Sequence, residues 1–391
     1  MQLGNGWHER LKLGIQAKPV VGFWRLVVLQ STETFIRTQS DALITWQART
    51  VGFKAIASSL SRADDLVAQH GRYRSAVMLR LFRLTRKSRR LERLFSSAGA
   101  EMIHAHFSED AGLITPTARR LNLPTVVSVY GFDVTRALPN TQLGRRQARR
   151  RTEAFEYASA ILANSRFMAE SAVVCGADPS KVEVVHLGIA LSSAPAQADN
   201  AERDGILFVG RLVEKKGLED LIRAASLFPP ELAGTKIVVV GDGPLRSELE
   251  LLAQQHGVNV DFKGSQHASA IQAEMDAAAL LCVPSKTAAD GDSEGLPTII
   301  LEGAYAGLPV VSTEHSGIPE AVVSGTTGIL VPENNPERLS EALSELLSDR
   351  AKAARYGAAG RAHIAEHFDS AECARKLEAV YSRVVAQHAT R

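Results

Sequence analysis

The feature that most restricts the fold is a repeated alternation. Short runs of Val, Ile and Leu follow one another along the chain, separated by amphipathic stretches of helical period. In the first half "WRLVVLQ", "AEMIHAHF", "PTVVSVYG" and "SAILANS" have this character; in the second, "GILFVGRL", "TKIVVVGDG", "VDFKGS", "ALLCVPS" and "LPVVST" repeat it. Strands that are apolar on both faces and alternate with helices belong in parallel sheets covered on both sides. A chain of 391 residues is long for one core, and its size suits two domains. The small, polar, aperiodic stretch "LSSAPAQADNAERD" at 191–204 is the best linker. The sequence therefore predicts an α/β protein of two doubly wound domains, residues 1–190 and 205–369. A ligand cleft is expected where strand carboxyl ends face each other. A C-terminal helix over about 370–391 is expected to pack back on the first domain.

Charge divides near the same place. Residues 1–195 hold 27 Lys and Arg against 15 Asp and Glu, a balance of +12, while the remainder is −10. Such a split suggests domains with different partners, the basic half suiting an anionic surface. Residues 76–95 place Val77, Leu81, Leu84, Leu91 and Phe95 on one helical stripe, with Arg80, Arg83, Arg86, Lys87, Arg89, Arg90 and Arg93 over the rest. Two readings stay open. One is a core-facing helix with a solvated basic side; the other is contact with anionic lipid, worth about 1 kcal/mol per Lys or Arg near the surface. "RRQARRR" at 145–151 adds a second basic cluster. Apart from Phe82 in the first cluster, no aromatic is interleaved with the basic residues for bases to stack on, so nucleic acid is disfavoured.

The run "PVVGFWRLVVLQ" at 19–30 has basic residues ahead of it, as a secretory leader would. Arg25 interrupts it and no small-residue cleavage site follows, so it reads as a buried first strand. No segment approaches the ~18 apolar residues of a membrane span. Cys175, Cys282 and Cys373 have no metal-ligand spacing, which suits a reduced, cytoplasmic setting.

Three stretches can carry chemistry. In "GRLVEKKG" (210–217), Gly210 permits a sharp turn after a strand, and Arg211 and Lys216 can converge on an anion. "VVVGDGPLRSELE" (238–250) is half of a glycine-rich phosphate loop, lacking the third glycine. "DGDSEGLPTIILEGAYAGLPVV" (290–311) offers two carboxylate pairs. Asp290 and Asp292 are placed to hold a divalent cation, whereas Glu294 and Glu302 bracket the start of a helix opened by Pro297 and closed by Gly307 and Pro309. Backbone N–H groups from Gly295 to Thr298 then point out of the helix N-terminus, an anion site. Glu294 reaches a group ahead of the helix and Glu302 a group beside its first turns. A nucleotide diphosphate sugar has that layout: sugar, diphosphate, ribose hydroxyls.

The stretch "EGLPTIILE" resembles the E-x7-E motif of the retaining glycosyltransferases of family 4. The resemblance extends through "GRLVEKKG", "VVVGDGPLRSELE", "VPS…DGDSEGLP", "GLPVVSTEHSGIPE" and "GTTGILVP", in the family's order over most of the second half. In the first half "STETFIRTQ" (31–39) is similar to a segment near the start of exopolysaccharide glycosyltransferases. "IHAHF", "VYGFDV" and "ANSRFMAE…VEVVHLGI" follow the rest of that domain. The resemblance implies the GT-B architecture: two facing Rossmann-like domains with parallel sheets and a cleft between them. It implies that Arg211 and Lys216 bind the diphosphate and offset charge on the leaving group. Glu302 would hold the ribose hydroxyls, and Glu294 with the backbone of Gly295 and Leu296 would orient the sugar. Gly210, Gly264, Pro297 and Thr298 complete the donor side. His106 would position and polarise the sugar, making the catalytic set His106, Arg211, Lys216 and Glu294. His104, on the same strand, is assigned to the opposite face and left out.

Two departures bear on the acceptor side. "QSTETF" stands where a Gly-Gly loop is common, which makes Glu33 and Thr34 lining residues. Tyr130 stands in place of a frequent histidine before Gly131, with Asp133 retained. No metal and no cofactor are expected, because Arg211, Lys216 and a helix N-terminus already serve the diphosphate; Asp290 and Asp292 read as a solvated loop. The expected activity is transfer of a sugar from a UDP- or GDP-sugar to a glycan or polyprenyl-linked acceptor in cell-surface polysaccharide synthesis. The donor would bind the second domain and the acceptor the basic first one. The location implied is cytoplasmic, peripheral on the inner face of the plasma membrane. The rivals are a sugar-nucleotide epimerase or glycan phosphorylase of the same fold, and a non-catalytic membrane-associated scaffold.

Overall fold

The computed structural model describes residues 18–30, 33–69, 72–138, 140–191 and 203–390, of which 72–75 by their backbone alone. Ser31 and Thr32 of "STETF" and residues 192–202 of the linker stretch lie outside them. The chain forms two compact units. One comprises residues up to Val134, Leu138–Ala190 and the chain from Ser370; the other comprises Thr135–Ala137 and Leu191–Asp369.

The first unit is built on strands β1 (Val20–Val28), β2 (Gln47–Ala55), β3 (Leu66–Gln69), β4 (Ala100–His106), β5 (Thr125–Val129), β6 (Ala160–Ala163) and β7 (Val182–Val184). They run parallel in the order β3-β2-β1-β4-β5-β6-β7. Its helices are α1 (Thr34–Asp41), α2 (Arg72–Thr85), α3 (Arg89–Ser97), α4 (Ser108–Leu121), α5 (Gln142–Tyr157) and α6 (Arg166–Val174). The second unit has β8 (Ile206–Val209), β9 (Ile237–Val240), β10 (Val260–Gly264), β11 (Leu280–Val283), β12 (Val310–Thr313) and β13 (Gly328–Val331). These are also parallel, in the order β10-β9-β8-β11-β12-β13. Its helices are α7 (Leu218–Ala225), α8 (Arg246–His256), α9 (Ala268–Ala277), α10 (Thr298–Tyr305), α11 (Pro336–Ser348) and α12 (Arg350–His367). The last helix, α13 (Ser370–Ala389), belongs to the first unit. Among the described residues no helix is long and apolar enough to cross a membrane.

Each sheet reverses direction of growth once, between β1 and β4 and between β8 and β11. In open parallel sheets ligands bind beyond the strand carboxyl ends at such a reversal. The loops after β1, β4, β8 and β11 therefore lie at the expected ligand positions, and they carry Glu33, the His106 strand end, "GRLVEKKG" and "DGDSEGLP".

Cores form on both faces of the first sheet. Trp24, Phe53, Phe82, Phe95 and Phe155 fill one side. On the other, Leu377, Val380, Tyr381 and Val384 of α13 pack with Val21, Phe23, Met102 and Val126. Glu378 of α13 fastens that contact, its Oε1 accepting the N–H groups of Ile44, Thr45 and Trp46 at 2.7, 2.7 and 3.0 Å. In the second unit Ile206, Phe208, Leu221, Ile222, Val239 and Leu343 form the corresponding centre.

The expected single stripe over 76–95 is corrected by the structure. The segment is two helices, broken at Arg86 (φ 53°), and Ser88 caps the second by accepting from the Leu91 N–H at 3.2 Å. Leu91 and Phe95 are fully buried, but Val77, Leu81 and Leu84 are 67%, 49% and 64% exposed. The residue that anchors α2 is Phe82, stacked on Phe53 with ring centroids 4.5 Å apart. The break rotates the second helix relative to the first, so apolar periodicity summed over both misassigns the buried ridge of α2.

Candidate donor and acceptor sites

In the second unit three loops meet at strand ends. After β8 the chain turns through "GRLVEKKG", ending in a 3-10 turn, Glu214–Lys216. Gly217 then adopts φ 67°, and a Cβ there would lie 1.8 Å from the carbonyl oxygen of Pro284. At Gly241 (φ 139°) a Cβ would lie 1.9 Å from the Gly210 carbonyl oxygen. Glycine is thus required where the loops after β8, β9 and β11 press backbone on backbone.

Glu294 is the centre of this arrangement. Its side chain is buried, with Oε1 3.2 Å from Lys216 Nζ and 3.4 Å from Lys215 Nζ. Burial by itself raises a carboxyl pKa, but Lys216 and Lys215 outweigh it and hold Glu294 at about 2. Its N–H donates to His315 Nε2 at 3.2 Å, so the proton of that ring sits on Nδ1, which donates to Glu333 Oε1 at 2.6 Å. Ser316 Oγ donates to the carbonyls of Glu294 and, at 3.0 Å, Gly295. Gly317 N–H also donates to the Gly295 carbonyl, at 3.0 Å.

Pro297 takes the N-cap position of α10 (φ −65°), and Thr298 opens the helix. The first amides of a helix have no intrahelical acceptor, so this end points donors outward beside Glu294. Glu302 lies one turn further on, partly exposed, and burial raises its pKa to about 7. Arg211 is exposed and forms no ion pair among the described residues. Gly264 ends β10 in a left-handed conformation (φ 67°), its carbonyl accepting the Gly241 N–H at 2.9 Å.

The aspartates of "DGD" do not point at a common centre. Asp290 pairs with Arg136 at 2.7 Å and Asp292 with Lys215 at 2.9 Å. Among the described residues no group of three or more His, Cys, Asp or Glu side chains is arranged to hold a metal.

In the first unit, His106 ends β4 fully buried. Its Nδ1 lies 2.7 Å from the Tyr130 hydroxyl, and its Nε2 has no hydrogen-bond partner among the described residues. Burial, reinforced by His104 and Arg25, pushes its pKa well below the usual value, so the ring is neutral. The assignment of His104 to the opposite face is corrected: positions two apart on a strand share a face, and the rings are 4.2 Å apart. His104 is nonetheless spent on structure, bonded to the Tyr381 hydroxyl at 2.6 Å and Ser128 Oγ at 2.7 Å.

Glu33 and Asp133 have internal partners rather than a free face. Both oxygens of Glu33 meet Arg25, at 2.5 and 3.2 Å. Asp133 is buried and accepts the N–H groups of Ser108 (2.8 Å), Tyr130 (3.1 Å) and Gly131 (3.2 Å), which ties the "YGFD" loop to the start of α4. Thr34 is exposed at the first turn of α1.

Two family models match the chain, one in each half. Residues 193–363 match the family model described as "Glycosyl transferases group 1", and residues 47–193 match "Glycosyltransferase Family 4". The two models together span residues 47–363, so the chain carries glycosyltransferase family 4 and group 1 domains. The putative colanic acid biosynthesis glycosyltransferase WcaL of Salmonella typhimurium is 34% identical over 174 residues, 44% of this chain and 43% of that protein. A GDP-mannose-dependent alpha-(1-6)-phosphatidylinositol monomannoside mannosyltransferase of Mycobacterium tuberculosis is 36% identical over 163 residues, 41% of this chain and 42% of the relative. The matched stretches thus span less than half the length of these curated relatives. Among solved structures, Anabaena Alr3699/HepE in complex with UDP-glucose superposes with a TM-score of 0.71 at 18% identity, over 93% of this chain and 99% of that one. This establishes the GT-B fold.

Four groups that the structure brings to these loops do not stand out in the sequence as site residues. Lys215 joins Lys216 at Glu294, and the signal was its place in the same "EKK" turn. His315 and Glu333 brace the Glu294 backbone across loops that no local pattern connects. Arg25 links Glu33, Asp110 (2.5 Å) and the His106 carbonyl (3.3 Å), with its guanidinium 4.3 Å over the Phe107 ring. Its signal was visible as the one charge inside an apolar strand.

Proposed function

We propose that this family member transfers a sugar from a nucleotide diphosphate sugar to a glycan or lipid-linked glycan in cell-surface polysaccharide synthesis, with retention of anomeric configuration and without a metal. The observation that carries this reading is Glu294, held ionised between Lys215 and Lys216 next to the N-terminus of α10. A diphosphate at that helix end meets N–H donors and the two lysines, with Arg211 exposed on the same loop. Glu294 and the backbone of Gly295 and Leu296 orient the sugar hydroxyls, and Glu302 holds the ribose.

In the reaction the bond from the anomeric carbon to the phosphate oxygen breaks, and its electron pair leaves on the nucleoside diphosphate. The acceptor oxygen bonds to the same face of the sugar, and its proton passes to the departing phosphate oxygen. Lys216 and Arg211 stabilise the charge as it develops. His106, neutral and with Nε2 uncommitted, is the first unit's candidate for polarising the sugar. The separate engagement of Asp290 by Arg136 and of Asp292 by Lys215 supports metal-free chemistry.

The relatives frame the donor and acceptor. HepE is seen with UDP-glucose, the mycobacterial relative uses GDP-mannose on a phosphatidylinositol mannoside, and WcaL acts in colanic acid biosynthesis. A thermal-shift panel of UDP- and GDP-sugars with and without EDTA, followed by product analysis, tests the proposal. One nucleotide sugar should stabilise the protein with EDTA present, and Glu302→Ala should abolish the shift. Donor binding that vanishes in EDTA and returns with manganese sinks the metal-free reading; unchanged donor turnover in Glu302→Ala sinks the site.

A further inference from the structure

Helices α2 and α5 are tied together by two arginines. Arg150 donates to the Arg83 carbonyl, and Arg86 Nη1 meets Glu153 Oε2 at 2.5 Å. Next to these contacts lies a cavity of about 710 Å³ lined by Leu84, Arg86, Arg145, Arg146, Arg149 and Arg150, with Gln142 and Glu153 completing it. Five guanidinium groups thus surround a space whose one carboxylate among the described residues, Glu153, is already engaged by Arg86 and by Arg119 at 3.3 Å. Helix α5 sets Arg145 over Arg149 and Arg146 over Arg150, one turn apart. Like charges at that spacing destabilise an isolated helix. With five guanidinium groups to one carboxylate in its lining, the cluster bears an excess of positive charge; burial lowers the Arg150 pKa, and Arg86 and Arg146 lower it further against the opposing pull of Glu153.

The apolar surroundings decide which anion fits. Val77, Leu81 and Leu84 form an exposed stripe along α2 at the spacing of one helix face, and Leu84 is also part of the cavity wall. Met78 (39% exposed) borders the stripe, and Leu143 of α5 (60%) precedes Arg146 by one turn. A free phosphate has no use for exposed leucines, and a nucleic acid would want aromatic surfaces to stack on. A phospholipid monolayer presents both partners, phosphate at the headgroup and acyl chain just beneath it. We propose that the α2–α5 cavity seats the phosphate of an anionic phospholipid headgroup and docks the first unit on a membrane surface, with Val77, Leu81 and Leu84 entering the acyl boundary. Arg145, Arg146 and Arg149 hold the phosphate, since guanidinium forks match its oxygens. Transfer activity plays no part in this contact, so it is testable whether or not the donor assignment holds.

The test is co-sedimentation of the full chain with vesicles of phosphatidylcholine alone or of phosphatidylcholine mixed with phosphatidylglycerol. The unmodified chain should partition onto the mixed vesicles, be released by high salt and ignore the neutral ones. Arg146→Gln/Arg149→Gln, at exposed positions, should lower partitioning by about tenfold or more. Leu81→Ser/Leu84→Ser should weaken it while keeping its salt dependence. Equal binding to both vesicle types overturns the proposal, as does unchanged partitioning of the double arginine variant. Inorganic phosphate and a short RNA complete the assay. Saturable binding of either by the unmodified chain, lost in the arginine variant and unaccompanied by vesicle binding, also overturns it.

Discussion

In the second unit the charged groups of the site face one another across short gaps, with Lys215 and Lys216 around Glu294 and Asp292 beside them. In the first unit the carboxylates that follow β1 and β4, Glu33 and Asp110, are drawn into the core by Arg25, while Arg86, Arg145, Arg146, Arg149 and Arg150 crowd the surface between α2 and α5. One unit sets opposite charges against one another at its strand ends. The other locks its charges into structure and leaves an excess of one sign outside. The difference teaches that charge in these sequences has three uses, and only burial and partner geometry tell them apart.

That contrast can be broken experimentally. Arg25→Met leaves Glu33 and Asp110 buried without a cation, and should cost the first unit about 3–5 kcal/mol, read as a lower urea midpoint for that unit. An unchanged midpoint would show that the network is not structural. Lys216→Ala should leave folding intact but reduce nucleotide release in a transfer assay by about 10²–10³. A tenfold drop or less would move the diphosphate elsewhere.

Acid–base behaviour sharpens the same comparison. The folded pKa of Glu302, about 7, lies above its ordinary value of 4.5. The unfolded chain therefore ionises first, and Glu302 makes stability fall as pH rises from about 4.5 to 7, with no further change above. Glu302→Gln should flatten that slope and gain about 2 kcal/mol relative to the parent by about pH 8. Denaturation at several pH values checks it. Glu294, held at about 2, has the opposite sign: its contribution is complete above 4.5 and is lost as pH falls toward 2.

Smaller effects follow. His315→Ala removes the acceptor for the Glu294 N–H and should cost about 1–2 kcal/mol of stability, with a matching loss in kcat. His315→Gln, which offers an oxygen near the same place, should recover most of it. Leu84→Ser, on the exposed side of α2, should change stability by less than about 0.5 kcal/mol. A large loss there would restore the single-stripe reading of 76–95.

Much of the architecture was legible beforehand, because a parallel strand buried on both faces announces itself as a short apolar run. β1, β4, β5 and β6 were visible that way, as were β8 to β12. β2 and β3 were not: "QARTVGFKA" mixes Arg49, Thr50, Gly52 and Lys54 into the strand, and its pairing with β1 is what makes it one. The E-x7-E spacing placed Glu294 and Glu302 on either side of a helix start, and α10 has that geometry. The partners of Glu33 and Asp133 were not legible, since nothing local says which carboxylate meets water and which meets a guanidinium or a backbone amide.

The sequence by itself determined the two parallel sheets, the glycine turns after β8 and β9, and the helix start at Pro297. These are set by residues within a few positions of one another, where backbone sterics and side-chain alternation act directly. Only the tertiary structure decided that Lys215 and Lys216 share Glu294, that Glu333 sets the His315 tautomer, and that Arg25 binds Glu33 and Asp110. It alone showed that α2 turns Val77, Leu81 and Leu84 outward beside the arginines of α5. Such choices depend on the distance and dielectric between groups far apart in the chain, quantities that exist only once it has folded.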